Sequence, residues 1–261
     1  MALTIVATTQ PGNTPPRVFL DVDTTGYTGL TLSIFRVLGD TQTLVRDSET
    51  SPDIADIQWL GYDYECPFGT PVTYQVVVYD GATAVASAVS SAVSLDPSGV
   101  WLIHPGAPTR SIEIEVKDLG SRKRSVTQST QRVLGRSDPV VTTDTRSTVE
   151  SVLAIYTDAL DDLAAVHDIL ADGQTLLLNI SPVNAWGVTA EWIACGDSEE
   201  QRIVEIGSRP HRVTSIPYAV VARPEGDLAP LRTYADLLGE SASYSAVLAA
   251  RATYAAVLTG S

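Results

Sequence analysis

Three histidines, His104, His167 and His211, two cysteines, Cys66 and Cys195, and the acids Asp158, Asp161, Asp162 and Asp168 are the residues of this 261-residue chain whose types could do chemistry. A zinc site needs several ligands at fixed spacing, such as CxxC or two histidines one helical turn apart. Neither cysteine has a CxxC companion, and His167 has no second ligand-type partner at the required spacing. The acids could suggest paired catalytic carboxylates, but on a helix they fall on the N-terminal turn and the solvent face, where negative charge is stabilised by the dipole. Asp-Val-Asp-Thr-Thr-Gly at 21–26 begins like a calcium loop, yet position twelve falls on Leu32, where a bidentate glutamate is needed. No phosphate-binding glycine loop, GxSxG elbow or dinucleotide fingerprint occurs. Asn179-Ile180-Ser181 matches a glycosylation acceptor by pattern alone and lies in a strand candidate. The expectation is a protein without catalytic residues, metal or cofactor.

The elements that hold these residues belong to a sizeable core: 44% of the chain is hydrophobic, enough for one large or two ordinary domains. The net charge of -14 argues against a protein that grips nucleic acid by neutralising phosphates. Two distant cysteines point to a reducing compartment. With no signal-like N-terminus and no apolar run of about 18 residues, the expectation is a cytosolic product that does not insert in membranes.

Residues 1–96 read as a β-sandwich. Seven strand candidates, at 3–8, 17–24, 30–38, 43–46, 56–60, 72–80 and 84–95, are separated by Gly- and Pro-containing turns. Residues 97–108 have the Gly and Pro density of a linker, although Val100–His104 inside them looks like a strand that docks somewhere. Residues 109–226 read as an α+β domain. A strand at 111–119 alternates apolar and charged residues, 139–157 has two strand-like halves, and further strands fall at 175–181, 188–196, 202–208 and 212–224. The helix at 158–172 places Leu160, Leu163, Val166, Ile169 and Leu170 on one stripe and stops at Gly173. Between the first strands of this domain lies a basic island, Arg122, Lys123, Arg124, Arg132 and Arg136, in an otherwise acidic chain.

Residues 227–261 repeat a ten-residue unit aligned on Thr233, Ser243 and Thr253. A hydroxyl residue at a helix N-cap position is followed by tyrosine and by aliphatics three and four residues later. Tyr234 with Leu238, Tyr244 with Leu248, and Tyr254 with Leu258 therefore share faces of short helical turns. Segments this short do not recover the entropy of ordering themselves, at about 1–2 kcal/mol per residue. They must lie on something, either the chain's own body or a neighbour.

Two stretches resemble known families. Tyr64 before the Pro67–Gly69 turn, followed by Val72, Tyr74, Val76 and Val78, resembles a fibronectin type III module around its corner-forming tyrosine. In that family an aromatic at the place of Tyr74 packs between the sheets with a core aromatic from an earlier strand, for which Phe35 or Trp59 would serve. The order Gly135–Arg136, Pro139–Val141, Arg146, a strand at Val152–Ile155, a helix, a strand at Leu176–Ile180, a Pro182–Gly187 loop and a last strand closing at Pro224 resembles the tube-type domain of distal tail and minor tail proteins of tailed bacteriophages. With the terminal repeats, the combination is similar to minor tail proteins of phages that infect actinobacteria.

The resemblance implies a mainly β chain with one packed helix and a short helical extension, working as a virion structural protein made in the bacterial host's cytoplasm. It implies a homo-oligomeric ring at the tail tip, six-fold with three-fold as the alternative, joining the tail tube to hub, tape-measure or receptor-binding proteins. DNA would pass through the lumen without specific binding. The basic island would be an arm reaching across an acidic neighbour, or else a solvated loop, and Tyr234, Leu238, Tyr244, Leu248, Tyr254 and Leu258 would dock on adjacent proteins. Two rivals remain at this level. A host-surface carbohydrate or receptor binder would cluster Tyr27, Tyr62 and Tyr64 on one sandwich end, and a wall hydrolase would need a convergent acid pair.

Overall fold

Alternation along residues 3–96 builds two antiparallel sheets. In the computed structural model, which describes residues 3–48, 54, 57–132, 134, 137–138, 140–184, 186–203 and 210–224, the first seven strands are β1 (Thr4–Gln10), β2 (Arg17–Asp23), β3 (Thr31–Leu38), β4 (Thr41–Leu44), β5 (Gln58–Asp63), β6 (Thr73–Asp80) and β7 (Thr83–Val89). They pair in the orders β1-β2-β5 and β4-β3-β6-β7. Val18, Leu20 and Val22 of β2 face Leu32 and Ile34 of β3 and Tyr74, Val76 and Val78 of β6 in one buried core, as period-two side chains on facing sheets require. Tyr74 is fully buried there, at the place the sequence reading gave it. The second fully buried aromatic is Phe68 rather than Phe35 or Trp59. Trp59 is half-buried against the core and lies over Gly61, where a Cβ would meet its ring at 2.2 Å.

The remaining strands are β8 (Val100–Ile103), β9 (Ile112–Leu119), β10 (Lys123–Gln131), β11 (Val140–Thr157), β12 (Leu176–Ile180), β13 (Ala190–Cys195), β14 (Glu199–Arg202) and β15 (Arg212–Val220), with helix α1 (Leu160–Leu170) after β11. Their order is β10-β11-β9-β8-β12-β13-β15-β14, and β11 also pairs with β15. That second pairing closes β11, β9, β8, β12, β13 and β15 into a six-stranded antiparallel barrel. Closure removes free edges from the ring of strands. The described residues are thus mainly β with one packed helix.

Val100, Leu102, Ile114, Leu153, Ile155, Leu176, Leu178, Ile180, Ile193 and Ile216 fill the barrel core, together with Val166 and Ile169 from α1. The helix is two residues shorter at each end than expected, and Leu160, its first residue, is 63% exposed rather than part of the buried stripe. The first turn carries Asp161 and Asp162, whose charge suits the N-terminal dipole.

Two expectations change. The stretch 97–108 is not a linker, because β8 lies inside it as a wall of the barrel between β9 and β12. The two strand-like halves of 139–157 are one 18-residue strand, β11. Met1–Arg223 accordingly forms one compact unit. The terminal repeats, with Tyr234, Leu238, Tyr244, Leu248, Tyr254 and Leu258, lie outside the described residues, as does Arg136.

Candidate functional site

Among the described residues, no group of three or more His, Cys, Asp or Glu is placed to hold a metal. His104 comes nearest to a catalytic arrangement. The Ala107 N–H donates to its Nδ1 at 2.9 Å, so Nε2 carries the proton and faces Asp172 Oδ2 at 2.8 Å. Both ring nitrogens are therefore spent on holding structure, and no lone pair is left for a base. Burial pushes the Asp172 carboxyl up, but hydrogen bonds from His104, the Gln174 N–H and Arg110 outweigh it and leave it below the usual range. Arg110 also reaches Asp168 at 3.0 Å. These contacts pin the end of α1 to the turn after β8. Cys66 and Cys195 are both free thiols. Burial pushes Cys66 up to about 12 and Cys195 up to about 11, which keeps both protonated and unreactive at neutral pH. Asn179 is fully buried, so its sequon is closed to modification in the folded chain.

The sandwich carries an aromatic column on the outer face of β2 and β5. Phe19 and Tyr62 have ring centroids 5.4 Å apart, Tyr62 and Tyr64 5.9 Å. Arg17 lies over the Tyr62 ring at 4.1 Å and donates to the Tyr64 hydroxyl at 3.2 Å. Its guanidinium is held in turn by Gln10, which accepts from Nε at 2.8 Å. Tyr27 and Tyr64 both pack against the sandwich core. All three tyrosines are half-buried.

The basic island proves to be a strand rather than a loop. β10 pairs with the first half of β11 from Lys123 opposite Glu150 to Gln131 opposite Val140, with bulges on either side of Val126. The barrel pairings of β11 begin only at Glu150, with β15. Beyond that point the hairpin is a two-stranded ribbon that leaves the barrel. A ribbon of two strands has no second layer to bury a face, and is marginal in water by itself. Arg122, at its root, is docked on its own barrel, donating to both oxygens of Glu191 at 2.5 and 2.9 Å. Lys123, Arg124, Arg132 and Arg146 are exposed. Val126, opposite Arg146, is 37% exposed.

At the other end of β11, a groove of about 640 Å³ opens between α1, β9 and the end of β11. Glu113 and Glu115 from β9 and Asp158 and Asp162 from the start of the helix line it, over a floor that includes Ile155 and Val166.

What the sequence reading missed is the seam between the barrel and the sandwich. β8 and β12 send alternate side chains to opposite sides: Val100, Leu102, Leu176, Leu178 and Ile180 into the barrel, Trp101, Ile103 and Leu177 into the sandwich core. Asn179 points the same way as Leu177. Its Oδ1 accepts from the Phe68 N–H at 3.1 Å and its Nδ2 donates to the Cys66 carbonyl at 2.8 Å. Glu65, 4% exposed in its side chain, accepts from Arg46 and from Arg223 at the end of the barrel segment, both at 2.7 Å. The available signal was an uninterrupted apolar run with one polar residue inside it, the mark of a strand covered on both faces.

No protein-family model matches the chain, and no curated protein matches it. Among the described residues no helix is long and apolar enough to cross a membrane.

Proposed function

We propose that the chain is a non-enzymatic structural subunit of a phage tail tip, a distal tail or minor tail protein that forms a ring joining the tail tube to hub or receptor-binding proteins. The observation that carries this reading is the ribbon of β10 and β11, which leaves a closed barrel with exposed Arg124, Arg132 and Arg146 and, among the described residues, has no third strand beside it. A marginal two-stranded element that also carries unpaired charge is stabilised by a neighbour. Its tip and the helix side of the barrel lie at opposite ends of β11, so a contact between them joins unlike surfaces of two copies. Contacts of that kind close into rings when the rotation permits. The net charge of -14 suits a passage through which DNA slides without phosphate contacts.

The aromatic column favours scaffolding over sugar binding, because Arg17 already covers the Tyr62 face that a sugar ring would stack on. The seven-stranded sandwich, with three- and four-stranded sheets, supports the fibronectin type III likeness, and that module would decorate the outside of the ring.

A symmetry-resolved image of assembled tail tips tests the reading. The expected result is identical copies around an axis, six-fold or three-fold, enclosing a channel. A single copy per particle, or copies with no passage between them, rejects it. The double substitution Leu248→Asp with Leu258→Asp is expected to leave the β-rich body folded and release the subunit from tails.

A further inference from the structure

We infer that the acidic groove between α1, β9 and β11 receives the basic ribbon of a second copy of this chain. The inference rests on the ring-forming reading and adds the surface on the neighbour that accepts the arm. Glu113, Glu115, Asp158 and Asp162 are all exposed, and none of them makes an ion pair or hydrogen bond among the described residues. The acids at the other end of the helix and just past it behave differently: Asp168 and Asp172 are both held by Arg110. Four unpaired carboxylates along one groove repel one another, and a cation relieves that repulsion. They do not converge as metal ligands do. Spread over a groove of about 640 Å³, they match a strip of basic side chains.

One buried hydroxyl beside the groove is unpaired, as are those of Thr214 and Tyr218 on β15. Thr157, 3% exposed and one of the groove's lining residues, has a hydroxyl with no hydrogen-bond partner. Buried hydroxyls are paired as a rule, because leaving one unmade costs about 1–3 kcal/mol.

The ribbon is the complement. Arg124 lies two residues before Val126 on β10, and Arg146 stands across from Val126 on β11. Neither arginine makes an ion pair among the described residues. A basic, apolar, basic stripe therefore meets acids above an apolar floor, and each guanidinium can take a carboxylate in a two-pronged pair. Phosphate-bearing partners are excluded from the groove by its charge. The chain cannot fill the groove with its own ribbon. Arg146 and Thr157 are eleven residues apart on the same strand, about 36 Å at roughly 3.3 Å per residue, and the ribbon runs away from that end. The occupant is the same ribbon from the next copy.

Sedimentation of the full chain over a concentration series, at low and high salt, tests the pairing. The variants are groove-reversed (Glu115→Lys with Asp158→Lys), ribbon-reversed (Arg124→Glu with Arg146→Glu), and the four changes combined. All four positions are exposed, so circular dichroism and melting are expected to stay unchanged. If melting drops, Glu115→Gln with Asp158→Asn replaces the groove reversal and is read by loss of salt dependence. The expected result is self-association of the wild type that weakens with salt, a loss of roughly tenfold or more for each reversal, and recovery in the combined variant. Association that ignores the groove reversal but is lost on ribbon reversal overturns the groove assignment and leaves the ring reading standing. Failure of the combined variant to recover also overturns the pairing. A wild type that stays monomeric throughout overturns the inference, and the ring reading then rests on the tail-tip image alone.

Discussion

Asn179 of the barrel and Phe68 of the sandwich are joined by a buried hydrogen bond of 3.1 Å, although 111 residues separate them in the chain. The same amide donates to the Cys66 carbonyl. Asn179→Ala therefore strands a backbone N–H and a carbonyl in an apolar seam. The expected loss is about 2–4 kcal/mol, read as a lower urea midpoint with an unchanged slope. A loss below about 1 kcal/mol would show that the amide is not needed to hold the seam.

Gly69 sits at φ +65°, and a Cβ there would come within 2.1 Å of Pro182 Cγ on the barrel side. Gly69→Ala thus adds backbone strain and a clash, together about 2–4 kcal/mol. Pro182→Ala in the same chain is expected to relieve the clash and leave the backbone part, about 1–2 kcal/mol. Strictly additive losses in the double-mutant cycle would place the cost in the turn alone.

Asp63, 2% exposed, accepts from Arg36 at 2.7 and 2.9 Å, from the Tyr74 hydroxyl at 2.9 Å and from the Glu65 N–H at 2.9 Å. Asp63→Ala leaves the Arg36 guanidinium uncompensated in the sandwich and is expected to cost about 3–5 kcal/mol. Replacing the charge pair together, Arg36→Met with Asp63→Leu, is expected to cost less than the single change. Calorimetric melting of the three proteins checks the order, and equal losses would refute it.

Alkaline pH should unfold the protein through groups buried in the neutral form. Burial pushes the Cys66 thiol from its ordinary 9.0 up to about 12, and burial raises Tyr74 well above 10.0. Above pH 9 the unfolded thiol gives up its proton while the folded one keeps it, so stability falls as pH rises from about 9 towards 12. Below pH 9 this contribution is fully present. Each such group adds a slope of about 1.4 kcal/mol per pH unit inside its window. Cys66→Ala is expected to lower stability by a constant amount at neutral pH and to flatten the decline between pH 9 and 11. Unchanged steepness in that variant would remove Cys66 from the explanation.

How far the fold was legible depended on how many sides of each strand met water. β2 and β6 alternate because one face is wet, and their strands could be placed from spacing, whereas the core place of Tyr74 came from the family likeness. α1 announced itself by its stripe. β10, KRSVTQSTQ, is polar on both faces and has no period, so its residues read as a charged loop. β8 and β12 failed in the opposite sense: buried on both faces, they show apolar runs that do not say which side meets which partner. The closing pair of β11 with β15 joins residues such as Ile155 and Thr214, and nothing local encodes that choice. The acidic groove was half visible: Asp158 and Asp162 stood out as helix charges, while Glu113 and Glu115 joined them only once β9 lay beside α1.

Trp101 and Leu177 belong at the same time to barrel strands and to the packing of the sandwich, which leaves no slack between the two halves. A flexible tether would let the sandwich swivel and absorb a pull. Here a torque applied to the sandwich is carried through the shared core into the barrel wall, and the two halves turn together.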